Sequence, residues 1–93
     1  MAKVRMTSRP CLGAHTRLQW DSVREKQMLL APERVLVLNE MAAAILARCD
    51  GVHNVSEIAA DLAGQYHQAV DEDVRTLLNR LADKGLIQVD DHD

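Results

Sequence analysis

Apolar and polar positions change period several times along the chain, and each change marks an element. From His15 the order alternates: Thr16, Leu18 and Trp20 fall on one side, His15, Arg17 and Gln19 on the other. A period of two predicts a half-buried strand. The polar run Asp21 to Glu25 then turns the chain into a second strand over Lys26–Ala31, and the pair reads as a hairpin with a longer-than-minimal loop. Pro32 has no N–H for a sheet ladder and ends that strand. A third strand, Arg34–Leu38, follows at once. Its segment Val35-Leu36-Val37-Leu38 is apolar at every position, a pattern that asks for cover on both faces. A chain this short has little material to supply it. Either the segment is the buried centre of a small sheet, or something from outside the chain covers it.

The period then lengthens to that of a helix. Asn39 is a good N-cap, with Glu40 where the helix dipole favours an anion. Leu38, Ala42, Ile45, Leu46 and Cys49 form one stripe of a first helix over Met41–Cys49, which Asp50-Gly51 ends. Ser56 is the expected N-cap of a second helix carrying Ile58, Ala59, Leu62 and Tyr66. The third, over Val70–Lys84, places Val70, Val74, Leu77, Leu78 and Leu81 at i, i+4, i+7, i+8 and i+11. Asp71, Glu72 and Asp73 load its start, and Arg80 and Lys84 its second half, as the dipole prefers. Leu86–Val89 is a short extended return. Residues 1–14 have no period and read as a flexible arm, and 90–93 as a disordered acidic tail. The expectation is one α+β domain over 15–89, with three N-terminal antiparallel strands followed by three helices and an overall winged-helix-like form.

Composition narrows the chemistry. The 93 residues are 47% hydrophobic with one Trp, one Tyr and no Phe, so the core is aliphatic and a deep aromatic-lined cofactor pocket is not expected. Residues 1–34 carry seven Lys/Arg against three Asp/Glu, and residues 35–93 four against eleven. A basic front and an acidic back steer charged partners. Cys11 and Cys49 match no metal or redox spacing, and without a secretory signature two reduced thiols are expected. No run approaches the ~20 apolar residues that span a bilayer, so a cytoplasmic protein with no membrane association is expected.

Catalytic and metal readings find no support in the sequence. No two of His15, His53, His67 and His92 stand two or four residues apart. Cys49 reads as a small apolar residue at a helix end rather than a nucleophile. Asp71-Glu72-Asp73 fan around a helix instead of converging, and the four glycines are isolated, so no phosphate loop exists. The expectation is a non-enzyme without metal or cofactor. The second and third helices have helix-turn-helix order, but the third presents acids where a DNA reader presents bases to the groove, and over Val70–Lys84 it has three basic against four acidic residues. No nucleic-acid partner is therefore expected, although a winged-helix DNA-binding regulator stays open as an alternative. If the third strand is an edge, its free N–H and C=O groups offer a template for an added peptide strand, or for a second copy in a strand-edge dimerisation module. Both monomer and strand-exchanged dimer stay open. Arg34 is the best-placed cation for acidic residues of such a peptide.

The stretch 17–51, with VSEIAADL and LLNRLADKGLI further on, resembles the PqqD family of pyrroloquinoline quinone (PQQ) biosynthesis. The resemblance runs from about residue 10 to 89. It is carried by Trp20-Asp21, Pro32-Glu33-Arg34, Leu38-Asn39-Glu40 and Cys49-Asp50-Gly51 in that order and spacing. It implies a peptide chaperone that holds the precursor peptide PqqA and presents it to the radical S-adenosylmethionine enzyme PqqE, whose cluster and cofactor belong to that enzyme. In related leader-recognition domains the peptide adds a strand beside the third strand and lies against the third helix. Carried over, this implies a peptide-binding groove formed by Arg34, Val35, Leu36, Val37 and Leu38 with Val74, Leu77, Leu78 and Leu81.

Overall fold

The computed structural model describes residues 4–90. In chain order the elements are β1 (Arg9–Leu12), β2 (Arg17–Asp21), β3 (Lys26–Ala31), β4 (Arg34–Leu38), α1 (Glu40–Ala47), α2 (Val55–Tyr66), α3 (Asp71–Asp83) and β5 (Ile87–Asp90). The architecture is α+β, and the three expected strands and three helices are present. Strands β2, β3 and β4 form an antiparallel sheet in that order, while β1 and β5 form a second, two-stranded sheet. Register in the larger sheet aligns Leu18, Leu29 and Leu36 across the three strands. Directly opposed residues share a face, so this row turns toward the helices. Leu29 is 1% exposed, and Leu18 and Leu36 pack against the core.

The helical stripes read from the sequence become the core. Ala42, Ile45, Leu46 and Cys49 are buried with Ile58, Ala59, Leu62, Val70, Val74, Leu78 and Leu81. Asn39 caps α1 as expected, its Oδ1 accepting the Ala42 N–H at 2.7 Å. For α2 the expected cap at Ser56 is corrected to Asn54. The Asn54 side chain accepts the Glu57 N–H, and Glu57 Oε1 accepts the Asn54 N–H, both at 2.8 Å. That reciprocal pair satisfies two orphan donors at once, and it fixes the helix start two residues earlier.

The expected arm over 1–14 is corrected for residues 4–14. Val4 and Ser8 are fully buried and Pro10 nearly so. The Val4 N–H donates to Asn79 Oδ1 at 2.6 Å. Met6 and Ser8 offer their carbonyl oxygens to the N–H groups of Ser56 and Val55, both at 2.9 Å. These are first-turn donors of α2 that have no partner inside their own helix. The segment is therefore the backbone cap of α2, and it continues into β1. Gly13 closes the passage: its N–H donates to Leu86 O at 2.9 Å, and a Cβ there would stand 2.9 Å from Gly85 O. Asp90, assigned to a tail, belongs to β5; residues 1–3 and 91–93 lie outside the described residues.

The Cys49-Asp50-Gly51 turn joins this cap to the helices. The Asp50 carboxylate accepts the N–H groups of Val52 and His53 at 2.8 and 2.9 Å and contacts His53 Nδ1 at 2.7 Å. Gly51, with φ of +78°, donates its N–H to Pro10 O at 2.9 Å. The N–H groups of His53 and Val52, then the His53 ring, hold the Asp50 carboxyl down at about 2. A carboxyl lowered in the folded state stabilises at pH above its unfolded value, and that stabilisation is lost as pH falls through the folded value. Urea midpoints of the native chain should thus decline between about pH 4 and about pH 2, and Asp50→Asn should flatten that decline. An unchanged slope in the variant would show that the Asp50 contacts do not persist in solution.

Candidate functional site

Strand β4 is an edge. It pairs with β3 on one side, and among the described residues no strand pairs with it on the other. Two clefts border the ends of α3, one shared with the start of β4 and one with α1. At one end Pro32, Glu33 and Arg34 share a cleft of about 240 Å³ with Lys84, Gly85 and Leu86. At the other, Asn39 and Met41 share a cleft of about 270 Å³ with Asp73, Thr76, Leu77 and Arg80. The start of β4 is thus beside the end of α3, and the end of β4 beside its first two turns. The trough is the line from the first cleft, opened by Arg34, to the second, walled by α1 and α3.

Of the two readings left open for β4, the structure shows an edge strand rather than the centre of a sheet. Leu36 and Leu38 turn to the helices, but Val35 and Val37 are 60% and 52% exposed. One helical layer covers one face of an antiparallel sheet, and the chain supplies no second layer. Through the register Val37 neighbours Met28 and Val35 neighbours Leu30, so the outer face has an apolar patch continuous with the free edge.

Of the nine implied groove residues, Arg34 and Leu77 line the two clefts. Arg34, Val35 and Val37 are exposed on the edge strand, Leu36 is half-buried, and Leu77 is half-buried in the larger cleft. Leu38, at the end of β4, is 7% exposed and belongs to the core. Val74, Leu78 and Leu81 are corrected from groove to core, at 0%, 0% and 3% exposed. The residues of α3 that line the clefts are Glu72, Asp73, Thr76, Leu77, Arg80 and Lys84. Their spacing, with 73, 77, 80 and 84 at i, i+4, i+7 and i+11, marks a second stripe beside the apolar one. Apart from Leu77 that stripe is polar, so apolar periodicity did not single it out.

Charge is unevenly placed along the trough. Among the described residues, Arg34, Arg80 and Lys84 take part in no ion pair. Glu72 makes only a 3.5 Å contact to Arg75 on its own helix. Elsewhere charges meet one another: in the cleft between α1 and α2, Arg48 pairs with Asp61 at 2.6 Å and Asp50 with His53 at 2.7 Å. Cys49 is buried in the core, and desolvation pushes its thiol up to about 12, so it is not a thiolate at neutral pH. Among the described residues no three His, Cys, Asp or Glu side chains are grouped to hold a metal ion, and no helix is long and apolar enough to cross a membrane.

The model of Coenzyme PQQ synthesis protein D (PqqD) matches residues 26–87, from β3 through both walls of the trough. A PqqA binding protein of Rhodopseudomonas palustris (strain TIE-1) is 44% identical over 84 residues, covering 87% of this chain and 82% of that protein. The chain belongs to the PqqD family. Its fold is that of the PqqD portion of Methylobacterium extorquens PqqCD, with a TM-score of 0.74 at 38% identity over 85% of this chain and 87% of that one. That solution structure is described as a stand-alone recognition element for ribosomally synthesised, post-translationally modified peptides. The crystal structure of PqqD from Xanthomonas campestris aligns with a TM-score of 0.53 at 36% identity, over 80% of this chain and 86% of that one. Within the PqqD fold the shared motifs acquire positions. Pro32-Glu33-Arg34 opens the edge strand, Leu38-Asn39-Glu40 turns it into α1, and Cys49-Asp50-Gly51 ties the N-terminal segment to the helices.

Proposed function

We propose that this chain is a non-catalytic peptide chaperone of PQQ biosynthesis that binds the precursor PqqA by strand addition and presents it to the radical S-adenosylmethionine enzyme PqqE. The observation that carries this reading is the free edge of β4, whose first residue shares a cleft with the end of α3. It is supported by the peptide-binding names of relatives up to 44% identical. Strand addition draws affinity from several main-chain hydrogen bonds at ~1 kcal/mol net each, and selectivity from the side chains that enter the cleft. Alternate residues of the added strand would meet Leu77 and its neighbours; the others would extend the apolar outer face formed by Val35 and Val37. A loaded protein would thereby show the enzyme a surface that the empty protein lacks.

An NMR titration with the PqqA peptide tests the site. Shifts should concentrate on the amides of Arg34–Leu38 and on Asp73, Thr76, Leu77 and Arg80. Shifts confined to the β2–β3 turn would refute strand addition at β4. Repeating the titration with PqqE and with preloaded protein tests presentation, which predicts tighter capture of the loaded form. Sedimentation of the peptide-free chain distinguishes the rival use of the same edge: a tight dimer that excludes peptide would make β4 a self-association strand.

A further inference from the structure

The sheet of β2, β3 and β4 has an apolar cluster on its outer face, separate from the core. The row Leu18–Leu29–Leu36 turns toward the helices, so the rows on either side, Gln19–Met28–Val37 and Arg17–Leu30–Val35, turn away from them. Met28 on the central strand is only 6% exposed and Leu30 is half-buried, yet neither belongs to the helix-side core. Cross-strand neighbours shelter them, since each has one on either side. The two edges of this face differ. On β2 it carries exposed Arg17 and Gln19, the polar cover usual for a free edge. On β4 it carries Val35 and Val37, both more than half exposed and in unbroken register with β3. Among the described residues, the cluster is closed by polar side chains at β2 and left open at the free edge of β4.

We infer that Val35 and Val37 are specificity-determining residues for the bound peptide, and that they select a segment with β-branched or aromatic side chains at two outward positions, i and i+2. This inference rests on the strand-addition reading above, which gives the edge to the peptide, and it names the side chains that the added strand must carry. A strand paired along β4 puts alternate residues on the outer face, opposite or diagonal to the two valines. Apolar side chains there extend the rows Met28–Val37 and Leu30–Val35 by one member each. They cover the open flank of each valine, as Val37 itself covers one flank of Met28. A charged residue in the same place would stay hydrated and leave that flank in water. Main-chain hydrogen bonds are the same for any sequence, so the outer face supplies a selection that backbone pairing lacks.

The test uses the full chain and the PqqA peptide. Isotope-filtered NOEs should join the methyls of Val35 and Val37 to two peptide side chains that are two residues apart. Val35→Thr combined with Val37→Thr keeps β-branching and volume, and it should weaken capture about fivefold through the loss of two apolar cross-strand contacts. Val23→Thr, in the turn between β2 and β3, should leave capture unchanged. Thermal melts check that the variants are folded, and the NOEs need no variant. Alanine at the peptide residue facing Val37 should cost less against Val37→Thr than against the native chain, a coupling that a purely structural valine does not give. Shifted β4 amides without methyl NOEs, or with equal affinity in native and double-variant chains, overturn the inference while leaving strand addition intact. If the double variant loosens a dimer of the chain and leaves peptide affinity unchanged, the face belongs to a second copy and the inference is overturned. If the β4 amides do not shift with peptide, strand addition fails and the inference fails with it.

Discussion

Deleting residues 1–8 should lower the melting temperature by at least about 15 °C, or leave the chain unfolded at room temperature. Val4 is fully buried, and removing it forfeits about 1.5–3 kcal/mol of apolar burial. The deletion also strips Val55 and Ser56 of their hydrogen-bond acceptors, at ~1 kcal/mol each. A loss on the order of 4 kcal/mol is a large share of the 5–15 kcal/mol typical of a domain. Circular dichroism melts of the native and shortened chains measure it directly. An unchanged melting temperature would mean that the segment is the unattached arm its sequence suggests. Val4→Ala alone should shift the melt in the same direction by a smaller amount.

Two adjacent leucines of α3 should separate stability from binding. Leu78 is fully buried, and Leu78→Ala should cost about 3 kcal/mol or more in denaturant unfolding, because the cavity adds to the lost transfer energy. Leu77 is half-buried and lines the trough. Leu77→Ala should cost only ~1 kcal/mol of stability while weakening capture of the PqqA peptide roughly tenfold, the loss of one apolar anchor. Urea unfolding and isothermal titration on the same preparations give both quantities. If Leu77→Ala leaves affinity untouched while a folded Leu78→Ala chain loses it, the groove has been assigned to the wrong stripe of the helix.

That contrast shows where the sequence stopped. Val70, Val74, Leu77, Leu78 and Leu81 form one apolar run by spacing, and nothing in the run separates a core residue from a groove residue. The separation depends on how α3 is rolled about its axis, which packing against α2 and β5 decides. The same limit applied to β4. Four consecutive apolar residues left both a sheet centre and an edge open, and Val35 and Val37 face outward because only one layer of helices exists. The N-terminal segment failed for another reason. Its partners, Asn79, Val55 and Ser56, are remote in sequence, and backbone-to-backbone capping leaves no mark on residue type.

The sequence by itself determined the elements, since strand alternation, the Asn39 cap and the three helical stripes are local consequences of side-chain period and backbone capping. Its motifs determined the family. It also determined the sign of every charge on α3, though not where those charges would stand. Only the tertiary structure decided that β4 is an edge, and that Arg34 and Lys84, fifty residues apart, line one cleft. Those are matters of chain crossing and helix rotation, set by long-range packing, and no local pattern encodes them.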